Sequence, residues 1–170
     1  MKSIVIYSSL TGNTKQVAEA ITSVLPVGTP CVSMSELPSD IASYDLVFAG
    51  FWVDKGIANK EARDVLGTLH NPHIALFATA GVPPQMEHAK QSLINAAACL
   101  PEGVVPVDTF ICQGKVDPKV IEMMYKMFPK GHSHGQSADR DARHKQAAVH
   151  PNEDDCKAAM EFAKHVLDVI

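Results

Sequence analysis

The sequence predicts an α/β fold, a doubly wound five-stranded parallel sheet of order 2-1-3-4-5 with an insertion before the last helix. Three observations lead to it. Short, nearly continuous apolar runs at Ile4–Tyr7, Leu46–Phe51, Ile74–Ala80 and Val105–Cys112 have the pattern of strands covered on both faces. Between them lie segments with apolar residues three and four apart, and parallel neighbours need crossovers long enough to hold a helix. A more polar run, Cys31–Met34, follows the breakers Gly28 and Pro30 and suits an edge strand.

Along the chain, the first strand leads into a helix whose apolar face is Val17, Ala20, Ile21, Val24 and Leu25. Ala62, Val65, Leu66 and Leu69 form the next face, after Asn59 as a candidate N-cap. Met86, Ala89, Leu93, Ala96, Ala97 and Leu100 make a third, with Pro83-Pro84 expected in its first turn. Asn152 is placed to cap the last helix, where Glu153, Asp154 and Asp155 complement the dipole and Cys156, Ala159, Met160, Ala163, Val166, Leu167 and Ile170 form the buried stripe. An open sheet of this order binds ligands beyond the carboxyl ends of its strands, at the switch between strands 1 and 3. The loops to read are therefore 8–14, 51–59, 80–84 and 112–116.

A length of 170 residues suits one domain spanning 1–170, with an inserted helix and loop at about 114–150. Apolar residues make up 46% and charged residues 20%, which excludes disordered and fibrous classes. The start of the chain lacks the pattern of a signal peptide, and no apolar run approaches the roughly 20 residues of a membrane span. We therefore expect a cytoplasmic protein without a membrane partner. Cys31, Cys99, Cys112 and Cys156 have no C-x-x-C spacing and read as reduced core residues. A formal net charge of −4 argues against nucleic-acid binding. The charge is uneven: residues 1–112 hold 10 acids against 6 Lys/Arg, whereas 114–151 hold 4 acids against 7 Lys/Arg.

After the first strand the chain reads Ser8-Ser9-Leu10-Thr11-Gly12-Asn13-Thr14 and then enters a helix. This is an anion cradle: unpaired N–H groups and the positive dipole end converge, while Ser9, Thr11 and Thr14 add hydroxyl donors. Gly12 lets the backbone approach closely. Neither a G-x-x-x-x-G-K-[ST] nor a G-x-G-x-x-G string is present, and no carboxylate ends the first strand to hold a metal ion. Such a turn suits a phosphate monoester that is held and not transferred. Its Ser9-Leu10-Thr11-Gly12-Asn13-Thr14 resembles the S/T-x-T-G-N-T signature of the flavodoxin family, whose element order the chain follows over about 1–112 and 152–170. That resemblance implies a flavodoxin-like fold and flavin mononucleotide (FMN), with this turn on its phosphate.

The same resemblance assigns the other loops. Within Phe51-Trp52-Val53-Asp54-Lys55-Gly56, Trp52 would stack on the flavin ring, or else serve as a core or interface Trp. Gly56 would permit the peptide flip near flavin N5, although the usual Gly-Asp pair is replaced by Lys55-Gly56. Lys55 is either a charge aimed at the ring or a solvated lysine. Ala80 and Gly81 end the fourth strand, where many flavodoxins carry a Tyr; the second flavin face is then open, or covered by Tyr125 or Phe128. Gln113 would bond the pyrimidine edge, and Gly114 would let the ring approach.

In the insertion, Asp117-Pro118 starts a helix with the apolar face Val120, Ile121, Met124, Met127 and Phe128, followed by a polar stretch. Gly131-His132-Ser133-His134-Gly135 lacks a fixed third ligand, so no metal site is assigned. The segment is a basic partner-docking lobe or a solvated excursion. The resemblance implies an electron carrier between a flavin or iron-sulfur reductase and a partner redox enzyme. The alternative is an FMN-dependent oxidoreductase acting directly on a quinone, porphyrinogen or similar planar acceptor. Within the family, the chain resembles variant bacterial flavodoxin-domain proteins, among them the group linked to bilirubin reduction in anaerobes.

Overall fold

The computed structural model describes residues 1–170. Its parallel sheet runs in the order β2 (Cys31–Ser33), β1 (Ser3–Tyr7), β3 (Leu46–Asp54), β5 (His73–Ala80) and β6 (Thr109–Gln113), with the short β4 (Ile57–Ala58) antiparallel to β3. This is the expected spatial order with one extra strand. Helices α1 (Asn13–Thr22) and α6 (Glu153–Val169) cover one face, and α2 (Lys60–Leu66) and α3 (Glu87–Ala97) the other. Period-two alternation in β3 feeds both cores, Leu46 and Phe48 on the α1/α6 side and Val47, Ala49 and Phe51 on the α2/α3 side. Phe162 of α6 packs edge-on to Phe48 and stacks with Phe110, which fixes α6 across the sheet.

Several expected boundaries move for local reasons. The run Val105–Cys112 becomes a strand only at Thr109, because Pro106 has no N–H for the ladder and Val105 stays exposed. Pro83-Pro84 does not open α3: the Pro83 carbonyl accepts the Met86 N–H in a separate turn, and the helix starts at Glu87. Of the cysteines, all free, only Cys112 is fully buried, and burial pushes its thiol far above the ordinary range. Cys31 and Cys99 are half-buried and pack against the two cores, whereas Cys156 is half-buried and joins neither.

The insertion holds two helices instead of one, α4 (Pro118–Met127) and α5 (Ala138–Ala147). It leaves and returns at one point, where the Lys115 N–H donates to the His150 carbonyl at 2.8 Å. The chain then enters α6 through a capping box: the Asn152 side chain accepts from the Asp155 N–H, and the Asp155 carboxylate accepts from the Asn152 N–H. The same carboxylate lies 2.6 Å from His150 Nδ1. No helix is long and apolar enough to cross a membrane. Replacing Asn152 by Ala is expected to cost roughly 1 kcal/mol of unfolding free energy, read by urea denaturation. An unchanged midpoint would show the box to be dispensable.

Candidate functional site

A cleft opens at the carboxyl edge of the sheet where β1 and β3 send their helices to opposite faces. Its floor is the β1–α1 turn. Gly12 sits at φ 92°, a left-handed conformation that side chains disfavour, and precedes the first residue of α1. Ser9 Oγ accepts the N–H groups of Gly12 at 3.1 Å and Lys15 at 3.3 Å, while Gln16 N–H donates to the Gly12 carbonyl. The N–H groups of Thr11, Asn13 and Thr14 have no partner within the protein. Thr14 is 1% exposed, and its hydroxyl shares a hydrogen bond with that of Thr79 at 2.9 Å. A hydroxyl has one donor and two acceptor sites, so neither group is exhausted by this contact.

Two walls rise from that floor. Trp52, Val53 and Asp54, the last residues of β3, form one side. Thr79 and Ala80 at the end of β5 and Gly81 just beyond it, then Gly114, Lys115, Val116, Asp117 and Val120 after β6, form the other. The Asn13 amide joins floor to wall by donating to the Lys115 carbonyl at 2.8 Å. Gly114 lies beneath it, where a Cβ would stand 2.9 Å from Asn13 Nδ2.

An anion cradle at this switch point, in this strand order, is accompanied by a match to the flavodoxin domain over residues 4–164. The chain belongs to the flavodoxin family. It is 35% identical to the flavodoxin-like domain-containing protein BilS of Clostridioides difficile (strain CD3), over 98% of this chain and 97% of that one. The protein of the same name from Clostridium symbiosum (strain WAL-14163) is 34% identical over 95% and 94% of the two chains. Oxidised flavodoxin 2 from Bacillus cereus superposes with a TM-score of 0.58 at 15% identity, covering 100% of both chains. A flavoprotein in complex with FMN from Lactobacillus acidophilus NCFM gives 0.52 at 16% identity, over 65% of this chain and 93% of that one. These two likenesses establish a shared fold.

Not every residue singled out in this flavodoxin-family sequence reaches the cleft. Ser9, Leu10, Thr11, Asn13 and Thr14 line it, whereas Ser8 is turned away: its hydroxyl donates to Glu61 and accepts from Asn59 Nδ2. Asn59 therefore precedes α2 without capping it through its side chain. Phe51 is wholly buried in the α2/α3 core. Lys55 and Gly56 form the two-residue tip of a β3–β4 hairpin, both at positive φ (51° and 81°), outside the cleft lining. The Gly56 carbonyl accepts from Asn95 Nδ2 at 2.8 Å, which ties the hairpin to α3. Gln113 is buried and directs its amide toward the Gly81 carbonyl. Thr79, Lys115, Val116, Asp117 and Val120 are lining residues that the sequence reading did not single out. Lys115 and Val116 fell inside a loop already marked for ligand contact, whereas Val120 was read only as part of the insertion's apolar face.

Neither Tyr125 nor Phe128 covers the cleft. The Tyr125 hydroxyl lies 2.9 Å from Asp141 Oδ1 and 3.2 Å from His144 Nδ1, and Phe128 stacks on His132. Both are spent inside the insertion, where Tyr125 holds α5 against α4 and Phe128 packs on the loop between them. Burial, helped by the Arg140 charge and opposed by Asp141, holds the His144 pKa below its ordinary value of 6.5. Because the folded form then favours the neutral ring, this residue adds no penalty above pH 6.5 and costs stability as pH falls from there toward its depressed folded value. Amide protection factors in α5, taken relative to the intrinsic exchange rate at each pH, should fall on acidification through that window, and His144→Asn should remove the histidine's share of the decline.

Proposed function

We propose that the cleft holds FMN and that the chain is an electron carrier, loaded by a flavin or iron-sulfur reductase and discharged by a partner redox enzyme. The observation that carries this reading is the set of unspent N–H groups of Thr11, Asn13 and Thr14, together with the Thr11 and Thr14 hydroxyls, at the positive end of α1. A phosphate placed there gains charge-assisted hydrogen bonds without displacing any made within the protein. Family membership supports FMN as the group concerned. When bound, FMN supplies the electron chemistry. The chain supplies position and electrostatics: Trp52 offers an aromatic surface, and Lys115 is the one cationic side chain among lining residues that also include the acids Asp54 and Asp117. The free cysteines fit a reducing, cytoplasmic setting.

One observation favours the second reading, direct action on a quinone, porphyrinogen or similar planar acceptor. The wall opposite Trp52 contains no aromatic residue to close over a bound flavin; its larger apolar side chains are Val116 and Val120. Turnover separates the two. A carrier reduced anaerobically should pass electrons to a redox enzyme yet show no sustained NAD(P)H-dependent reduction of a free quinone, and steady turnover with quinone would replace this reading with the second. A tetrapyrrole reductase of the bilirubin-reducing type is the first acceptor to try.

Flavin affinity tests the cradle itself. Thr14→Ala removes a hydroxyl from the proposed phosphate site at a cost of about 1 kcal/mol, so FMN should bind several-fold more weakly while riboflavin binding is little changed. Fluorescence quenching on titration reads both constants. Equal losses for FMN and riboflavin would move the phosphate away from this turn.

A further inference from the structure

We propose that the exposed face of α4 is the docking surface for an electron-exchanging protein whose contact face is rimmed by carboxylates; this rests on the carrier reading above. Val120, Met123 and Met127 follow one another at three and four residues, so they form one stripe along the helix. They are 38%, 56% and 66% exposed, and no residue of α4 is buried. The opposite face of the helix is already used by Tyr125, which contacts Asp141 and His144 of α5, while Arg140 approaches the sulfur of Met124, at the stripe's edge, at 3.8 Å. The stripe is therefore not the inner side of a packed element.

Position and chemistry name the occupant. Val120 lines the cleft, so the stripe begins at the proposed flavin site and any protein seated on it lies beside the mouth. Methionine is soft and unbranched, suited to contacts that form and break against partners of differing shape. Lys119 and Lys126, seven residues apart, border the stripe on one flank of the helix. Lys126 is paired with Glu122 at 2.8 Å, whereas Lys119 makes no ion pair. An apolar centre with a basic rim steers an acidic surface and discriminates against a basic one. A second copy fits poorly, since two-fold pairing through this patch would set these lysines against their own counterparts.

The test uses flavin-loaded, chemically reduced protein in a stopped-flow experiment with two haem proteins of opposite rim charge. Cytochrome b5 presents carboxylates around its haem edge and cytochrome c presents lysines; ferricyanide is the small-molecule control. For the unaltered chain, the cytochrome b5 rate should fall as salt is raised. In Lys119→Glu/Lys126→Glu it should fall on the order of tenfold at low salt, with the cytochrome c rate unchanged or higher. Met123→Ser/Met127→Ser should slow cytochrome b5 while leaving its salt dependence in place. Ferricyanide oxidation and flavin content should be the same in all three proteins. Cytochrome b5 rates that ignore both double variants would overturn the docking proposal while leaving the carrier reading standing. Failure of the unaltered protein to reduce ferricyanide would sink the carrier reading, and the docking proposal with it. A dimer that the Met variant dissociates, or sedimentation with anionic vesicles that the Lys variant abolishes, would reassign the face to a second copy or to a lipid surface.

Discussion

Asn13 reaches from the β1–α1 turn to the far wall of the cleft, where its amide donates to the Lys115 carbonyl at 2.8 Å across a glycine that leaves it room. That bond has to exist for the cleft to have two fixed sides. The turn itself is held from within by Ser9, which takes up two N–H groups, and from beneath by the buried Thr14–Thr79 pair. What remains unsatisfied at the helix start is concentrated at one spot, which is how a backbone becomes an anion site without any lysine or arginine in the turn.

Lys115 also begins the insertion, and its N–H closes the insertion on the His150 carbonyl. One residue therefore couples the cleft wall, the base of the α4–α5 lobe and the entry to α6. The lobe makes few demands on the sheet, because its internal contacts, Tyr125 with Asp141 and His144 and Phe128 with His132, are largely its own. It can carry a surface chemistry unlike that of the acidic body while the fold beneath it stays unchanged. Trp52, Val53 and Asp54, which form the first wall of the cleft, owe their position to a strand that runs on into a hairpin.

Legibility in the sequence followed the range of the forces involved. Strand and helix order could be read because periodicity and burial on two faces leave a local imprint, as in Leu46–Phe51 or the Asn152-capped α6. The β3–β4 hairpin was missed because Lys55-Gly56 is not the Asn-Gly or Asp-Gly pair that usually marks such a turn, and Lys55 takes positive φ only in the folded chain. Helix α5 was hidden for another reason: its residues are mostly polar, so no apolar stripe announced it.

By itself the sequence determined the succession of strands and helices, the hydroxyl-rich turn Ser9–Thr14 at a helix start and the contrast in charge between body and insertion, since each depends on residues near one another in the chain. The direction of individual side chains was decided elsewhere. Ser8 faces Glu61, Phe51 enters the core and Val120 enters the cleft because of partners tens of residues away, and strand pleat and helix docking set those meetings. Contacts of that span are fixed only when the whole sheet has closed around them.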